Sequence, residues 1–138
     1  MNKRILLSTI VGAVVSFALG GIFYGVLLMN FMKANTTHYE GLEKPMNDQM
    51  LWIALSTIVW AWLVAYIYDR WAHVTTFMDG AKASMIISGA ISLSMDLFYY
   101  GAMNLMTGTW YCVDVVLGIV MGGITGGVIA MVQGKVKA

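Results

Sequence analysis

Four apolar runs divide this chain, and the first of them, Ile5 to Phe31, is 27 residues long. A helix of about 20 residues crosses the hydrocarbon core of a bilayer, and a backbone placed there must satisfy its own hydrogen bonds. A signal peptide's apolar region spans only about 7 to 15 residues, so the basic start at Lys3 and Arg4 introduces an uncleaved membrane helix. Composition agrees: 59% of the residues are hydrophobic, 11% are charged, and mean hydropathy is +0.75. The expected fold is all-α, a single four-span transmembrane bundle with spans at about 5–31, 50–68, 83–106 and 110–132.

The connections are short, except one. Lys33 to Gln49 is the one substantial polar stretch and holds the only proline, Pro45. Its Asn35-Thr36-Thr37 fits an N-glycosylation pattern that matters only in a secretory membrane, and chance accounts for it better. Asp69 to Lys82 reads as a second connection and Thr107-Gly108-Thr109 as a tight turn. Trp52, Trp60, Trp62 and Tyr66 crowd the second span, and Trp60 and Trp62 lie too deep for an interfacial belt, so packing is expected for at least one. Six Lys and Arg (Lys3, Arg4, Arg70, Lys82, Lys135 and Lys137) fall on the side of the termini and two (Lys33, Lys44) on the other. The positive-inside rule then places both termini in the cytoplasm, of a bacterial inner membrane in this reading.

Within the spans, small or polar residues recur every fourth position, and residues four apart share a helix face. The third span carries Gly80, Ser84, Ser88, Ser92, Asp96, Tyr100 and Asn104; the first carries Ser8, Gly12, Ser16, Gly20 and Tyr24; the fourth carries Asp114, Gly118, Gly122, Gly126, Ala130 and Gly134. Small residues let membrane helices approach closely. Helices one, three and four are therefore expected to meet through these stripes, with Gly12, Ser16, Gly20, Ser84, Ser88, Gly118, Gly122 and Gly126 as packing positions. The glycines at 122–127 lack the Lys and Ser/Thr of a phosphate loop. Shifting the first span by 76 residues superposes Ser8, Ser16 and Tyr24 on Ser84, Ser92 and Tyr100, the pattern of a duplicated two-helix hairpin, and sets Gly20 on Asp96.

Asp96 is the conspicuous residue. Counted from Ala83 it lies about 13 residues into its span, near mid-bilayer, where an acid costs about 2.5 to 3.5 kcal/mol to insert. A protonated or hydrated carboxyl with Tyr100, Ser92 and Tyr24 as hydrogen-bond partners is expected; a neutral packing contact is the alternative. Asp114 is a turn into the last span, with Lys33 as the expected partner, and Asn30 and Asn104 add to an outward-opening polar pocket. Near the same ends lie Met29, Met32, Met46, Met50, Met103 and Met106 with Cys112 and His38, soft donors of the kind that hold Cu(I), although methionine is an ordinary membrane residue. One cysteine excludes an internal disulfide and CxxC chemistry, and no basic tract points to nucleic acid. No Ser-His-Asp set, metal cluster or cofactor box is present, so no enzyme and no cofactor are expected.

The Gly20-Gly21-Ile22-Phe23-Tyr24-Gly25 ending of the first span resembles that of small four-pass bacterial membrane proteins of unknown function, which implies the four-span fold and no activity. Small multidrug exporters need an acid in the first span, quinone-linked disulfide enzymes need cysteine pairs, and the Thr75-Thr76-Phe77 fragment falls in a connection rather than a fluoride-channel helix. Two functions remain. One is a non-enzymatic membrane protein whose glycine faces make it a homo-oligomer or an accessory subunit of a membrane complex; the other is a small transporter or ligand-binding bundle with Asp96 as its proton or cation site.

Overall fold

The computed structural model describes residues 2–137, and among them four helices are long and apolar enough to cross a membrane: Lys3–Leu27, Met46–Ala72, Phe77–Ala102 and Gly108–Lys135. In chain order, α1 is Lys3–Ile22 and passes through a π-helical turn, Phe23–Leu27, into the short α2, Met29–Asn35. Then α3, Met46–Ile67, runs into a second π-turn, Tyr68–Ala72, and is followed by α4, Phe77–Ala102, and α5, Gly108–Lys135. The all-α four-span bundle expected from the apolar runs is what the chain forms.

Capping corrects the expected boundaries. Thr76 caps α4 by accepting from the Asp79 backbone N–H at 3.2 Å, and its hydroxyl donates to the Asp79 carboxylate at 2.7 Å. The first turns of α4 are thus built from Phe77 to Lys82, which composition had assigned to a connection, and the connection shrinks to residues 73–76. His73 turns it in the left-handed conformation, φ 50°. Asp96 accordingly becomes the twentieth of 26 residues and lies about 9 Å from the end of α4 rather than at mid-span. Thr107 caps α5 in the same way, accepting from Trp110 N at 3.3 Å.

Between α4 and α5 the two stripes interlock. A methyl group at Gly126 would overlap the Ser84 side chain, one at Gly122 the Ser88 side chain, and one at Gly118 that of Ser92; Gly80 faces Ala130 and Gly134 faces Thr75. Each step of four up α4 is matched by a step of four down α5, so every serine fills the hollow over one glycine. Ser88 completes its hydroxyl within its own helix, donating to Ser84 O at 2.5 Å. The other close fits are apolar: Ile129 fills the space at Gly12, Ile119 that at Gly89, and Phe77 that at Gly127.

The helices do not form a closed square. α5 is central and packs along both α4 and α1, α1 also packs along α3, and α4 and α1 barely touch. The expected mutual contact of the first, third and fourth spans is therefore corrected: both outer members lean on the last span, α4 on its glycine face and α1 on the side that carries Ile129 and Met121. Ser16 is half-buried and Gly20 meets only the tip of Met121, so the α1 stripe packs at Gly12 and loosens toward the loop end. The apolar core lies nearer the termini, formed by Ile5, Ala13, Ala61, Val64, Ala65, Tyr68, Ile129 and Ala130, with Trp60 packed against it. Trp62 faces outward, against Tyr66. Every buried residue of α3 lies from Ala61 onward.

A polar network closes the terminal end. Arg4 donates from Nε to Gln133 O at 3.1 Å and pairs with Asp69 at 3.5 Å, while Gln133 Nε2 donates to Ala65 O at 2.7 Å and Ser8 Oγ at 3.2 Å. This ties α1, α3 and α5 through Arg4, Asp69 and Gln133, none of them in the four-residue stripes, together with Ser8, which is.

Two outcomes check this packing, both read as unfolding stability in detergent. Gly122→Leu is expected to cost about 1–3 kcal/mol through overpacking against Ser88, whereas Gly21→Leu, with nothing near its Cα, stays within about 0.5 kcal/mol of the unaltered chain. Gln133→Leu should cost about 1–2 kcal/mol because Ala65 O and Ser8 lose a buried donor.

Candidate functional site

Continuing the serine-glycine register one step toward the loop end brings Asp96 of α4 opposite Asp114 of α5. The register sets the two acids on facing sides of α4 and α5, and Asp114 takes its hydrogen bond from Tyr24 rather than from Asp96. Asp96 is 9% exposed, and its Oδ2 is buried without a hydrogen-bond partner. Asp114 is half-buried and accepts from the Tyr24 hydroxyl at 2.6 Å. Three spans thus converge on one point, and two acids occupy it.

Tyr24 reaches Asp114 from the π-turn of α1. There the helix makes an i to i+5 bond, Leu28 N to Phe23 O at 2.8 Å, so an extra residue is accommodated and the side chains after it are rotated around the axis. The second π-turn does the same for Tyr68, which is fully buried and donates to Gly80 O at 2.5 Å beside Ser84 and Gly126. Each π-turn therefore aims one tyrosine hydroxyl at the α4–α5 pair, one at each end.

Around the acids the surroundings are aromatic. Trp110, 3% exposed, sets its indole edge-on to Tyr24 with centroids 6.1 Å apart, and Phe31 of α2 covers the indole at 5.8 Å. Tyr111 is buried near Asp96 and packs against Tyr100 at 5.9 Å. No cation joins them: the ion pairs among the described residues are Arg4–Asp69 and Arg70–Asp69, both at the terminal end.

Several expected assignments change here. Tyr24 does belong to the acid cluster, but its hydroxyl bonds Asp114, not Asp96. Tyr100 is 62% exposed and meets Tyr111 through its ring, near the first turn of α5, rather than bonding Asp96. Ser92 occupies the Gly118 hollow instead of reaching Asp96. Asn30 is exposed, Asn104 is exposed with its backbone carbonyl accepting from Thr37 Oγ1 at 3.1 Å, and Lys33 is exposed and unpaired with Asp114. The site therefore narrows to Asp96, Asp114 and Tyr24, with Asp96 buried and the other two half-buried. Two apolar grooves, of about 390 and 470 Å3, flank α5 on its lipid-facing sides, and Asp96 lines neither.

Met29, Met46, Met50 and Met103 are exposed, as are Cys112 and His38. Among the described residues no three His, Cys, Asp or Glu side chains converge on a point that would hold a metal. Asn35, in the glycosylation-like triplet, uses both side-chain atoms: Nδ2 donates to Phe31 O at 2.9 Å and Oδ1 accepts from Thr107 at 2.7 Å.

The facing of the two acids was open to sequence reasoning. Both stripes were visible, and setting them antiparallel with serine against glycine pairs Asp96 with Asp114. Compared with known proteins, the chain matches no family model, no curated protein and no solved structure.

Proposed function

We propose that this chain is a non-enzymatic membrane protein, with both termini on the cytoplasmic side of a bacterial inner membrane, that holds a proton or small monovalent cation between Asp96 and Asp114. A small transporter is the function that fits this site. The observation that carries the reading is the pairing of two acids, one with an orphaned buried oxygen, with no Lys or Arg beside them. Two like charges about 4 Å apart repel by about 4 kcal/mol at an effective dielectric of about 20, so the pair favours a bound proton or cation over double ionisation. Tyr24 donates to one carboxylate oxygen of Asp114 and fixes which oxygens face Asp96.

The second class of function, assembly through glycine faces with copies of itself or with other membrane subunits, has less to draw on. Gly12, Gly118, Gly122 and Gly126 are all filled by side chains of the same chain. Whatever partner the protein has besides the lipid bilayer, those faces are not free to bind it.

The test is infrared spectroscopy together with ion flux in proteoliposomes. The unaltered protein is expected to show the C=O stretch of a buried protonated carboxyl and pH-driven flux above empty vesicles; Asp96→Asn abolishes the flux, and the Asp96→Asn/Asp114→Asn pair removes the band. Tyr24→Phe keeps the band but shifts its frequency, at a stability cost of about 1–2 kcal/mol. A wild-type protein with neither band nor flux would contradict the proposal.

A further inference from the structure

α2 and the loop after it are arranged as a lid over the acid cluster. We infer that α2, Met29–Asn35, hinges at Leu28 and controls the passage of protons between Asp96–Asp114 and the loop-side water; the inference rests on the reading of that pair as a proton or cation site. The floor beneath the acids, the cover above them and the hinge beside them all bear on it.

The floor is closed. Below the acids, Ser92, Ser88 and Ser84 fill the hollows at Gly118, Gly122 and Gly126, leaving no gap between α4 and α5 through which water reaches Asp96 from the termini. From Asp96 to the loop end, only about 9 Å of helix remains. The shorter way out is toward the loops.

That way is covered and latched. Tyr24 bonds Asp114 and packs edge-on against Trp110, one turn before Asp114 on α5, and Phe31 of α2 packs on the indole. Beyond Phe31 the chain is laced to the α4–α5 turn by an isolated antiparallel bridge, Thr36 with Met106. Thr37 N donates to Leu105 O at 2.6 Å, Thr107 N to Asn35 O at 3.0 Å, and Thr107 Oγ1 to Asn35 Oδ1 at 2.7 Å. These bonds sit at exposed or half-buried positions, where water competes for each of them and opening costs little.

The hinge is built in. Leu28 leaves the helical region (φ −111°, ψ 8°), so α2 is not a rigid continuation of α1. The turn just before it is the π-turn that carries Tyr24, and no heavy atom crowds its Gly25. Swinging α2 outward about Leu28 would lift Phe31 from Trp110, while Tyr24, on the α1 side of the hinge, keeps its bond to Asp114.

A disulfide across the bridge tests this. In a Cys112→Ala chain, Thr36→Cys with Met106→Cys places thiols on a directly opposed pair, which suits disulfide geometry. The readout is the rate at which the protonated carboxyl band shifts when the reconstituted protein is transferred to D2O. Oxidation is expected to slow the shift at least about tenfold and reduction to restore it in the same sample, so misfolding cannot imitate the effect. Asn35→Ala, which loosens the latch, should speed it. Equal rates in the oxidised and reduced forms, with the band present, would overturn the lid and leave the acid site standing. Absence of any such band in either form removes the acid site and the lid with it.

Discussion

The fit of α4 serines into the glycine hollows of α5 is the constraint on which the rest of the structure depends. Lipid tails are as apolar as leucine, so two membrane helices gain little from hiding apolar surface and must gain from close contact. Glycine supplies the closeness, and serine fills it with a small side chain, whose hydroxyl at Ser88 finds Ser84 O one turn back. A slip of one turn would still set a serine over a glycine at most positions. It would, however, lose the seat of Gly80 against Ala130 and part Asp96 from Asp114.

From that register follow the two polar ends of the molecule. At the terminal end Arg4 pairs with Asp69 and bonds Gln133 O, and Gln133 Nε2 bonds Ser8 and Ala65 O, so the acid there has its counter-ion in place. At the loop end the two acids meet with only a tyrosine hydroxyl to share and one oxygen left bare. The contrast in charge is what singles out the loop end: Asp69 has Arg4 and Arg70 beside it, although Gln133 Oε1 is left bare, whereas Asp96 and Asp114 have no cation among the described ion pairs. The apolar core under Ala61, Val64 and Ile129 holds the terminal half firmly, while α3 is exposed along its loop-side half and α2 is held by surface hydrogen bonds. Rigid scaffold and movable cover thus lie at opposite ends of the bundle.

Much of this was legible before the fold was known. The four spans follow from apolar length, and the glycines that pack follow from their spacing of four. Asp96 announces itself as an acid among apolar residues. What escaped was of three kinds. The start of α4 was hidden because Asp79 and Lys82 make its first turn look like a connection, although Thr76 three residues before Asp79 is a helix-start signal. That error moved Asp96 to mid-span and assigned it Tyr100 as a neighbour. The π-turns leave no periodic trace, since one added residue per turn only interrupts a stripe, and so the aim of Tyr24 at Asp114 was not readable. The partners of Gln133 come from two other helices, Arg4 and Ser8 from α1 and Ala65 from α3, a convergence that spacing along any one helix does not encode.

The central claim is that Asp96 faces Asp114, and cysteine pairing measures it most directly. In a Cys112→Ala chain in its native membrane, Asp96→Cys with Asp114→Cys should oxidise rapidly to an intramolecular disulfide, while the one-turn-shifted pair, Tyr100→Cys with Asp114→Cys, should stay reduced. Efficient bridging of the shifted pair, with none between positions 96 and 114, would contradict the register and the acid site built on it.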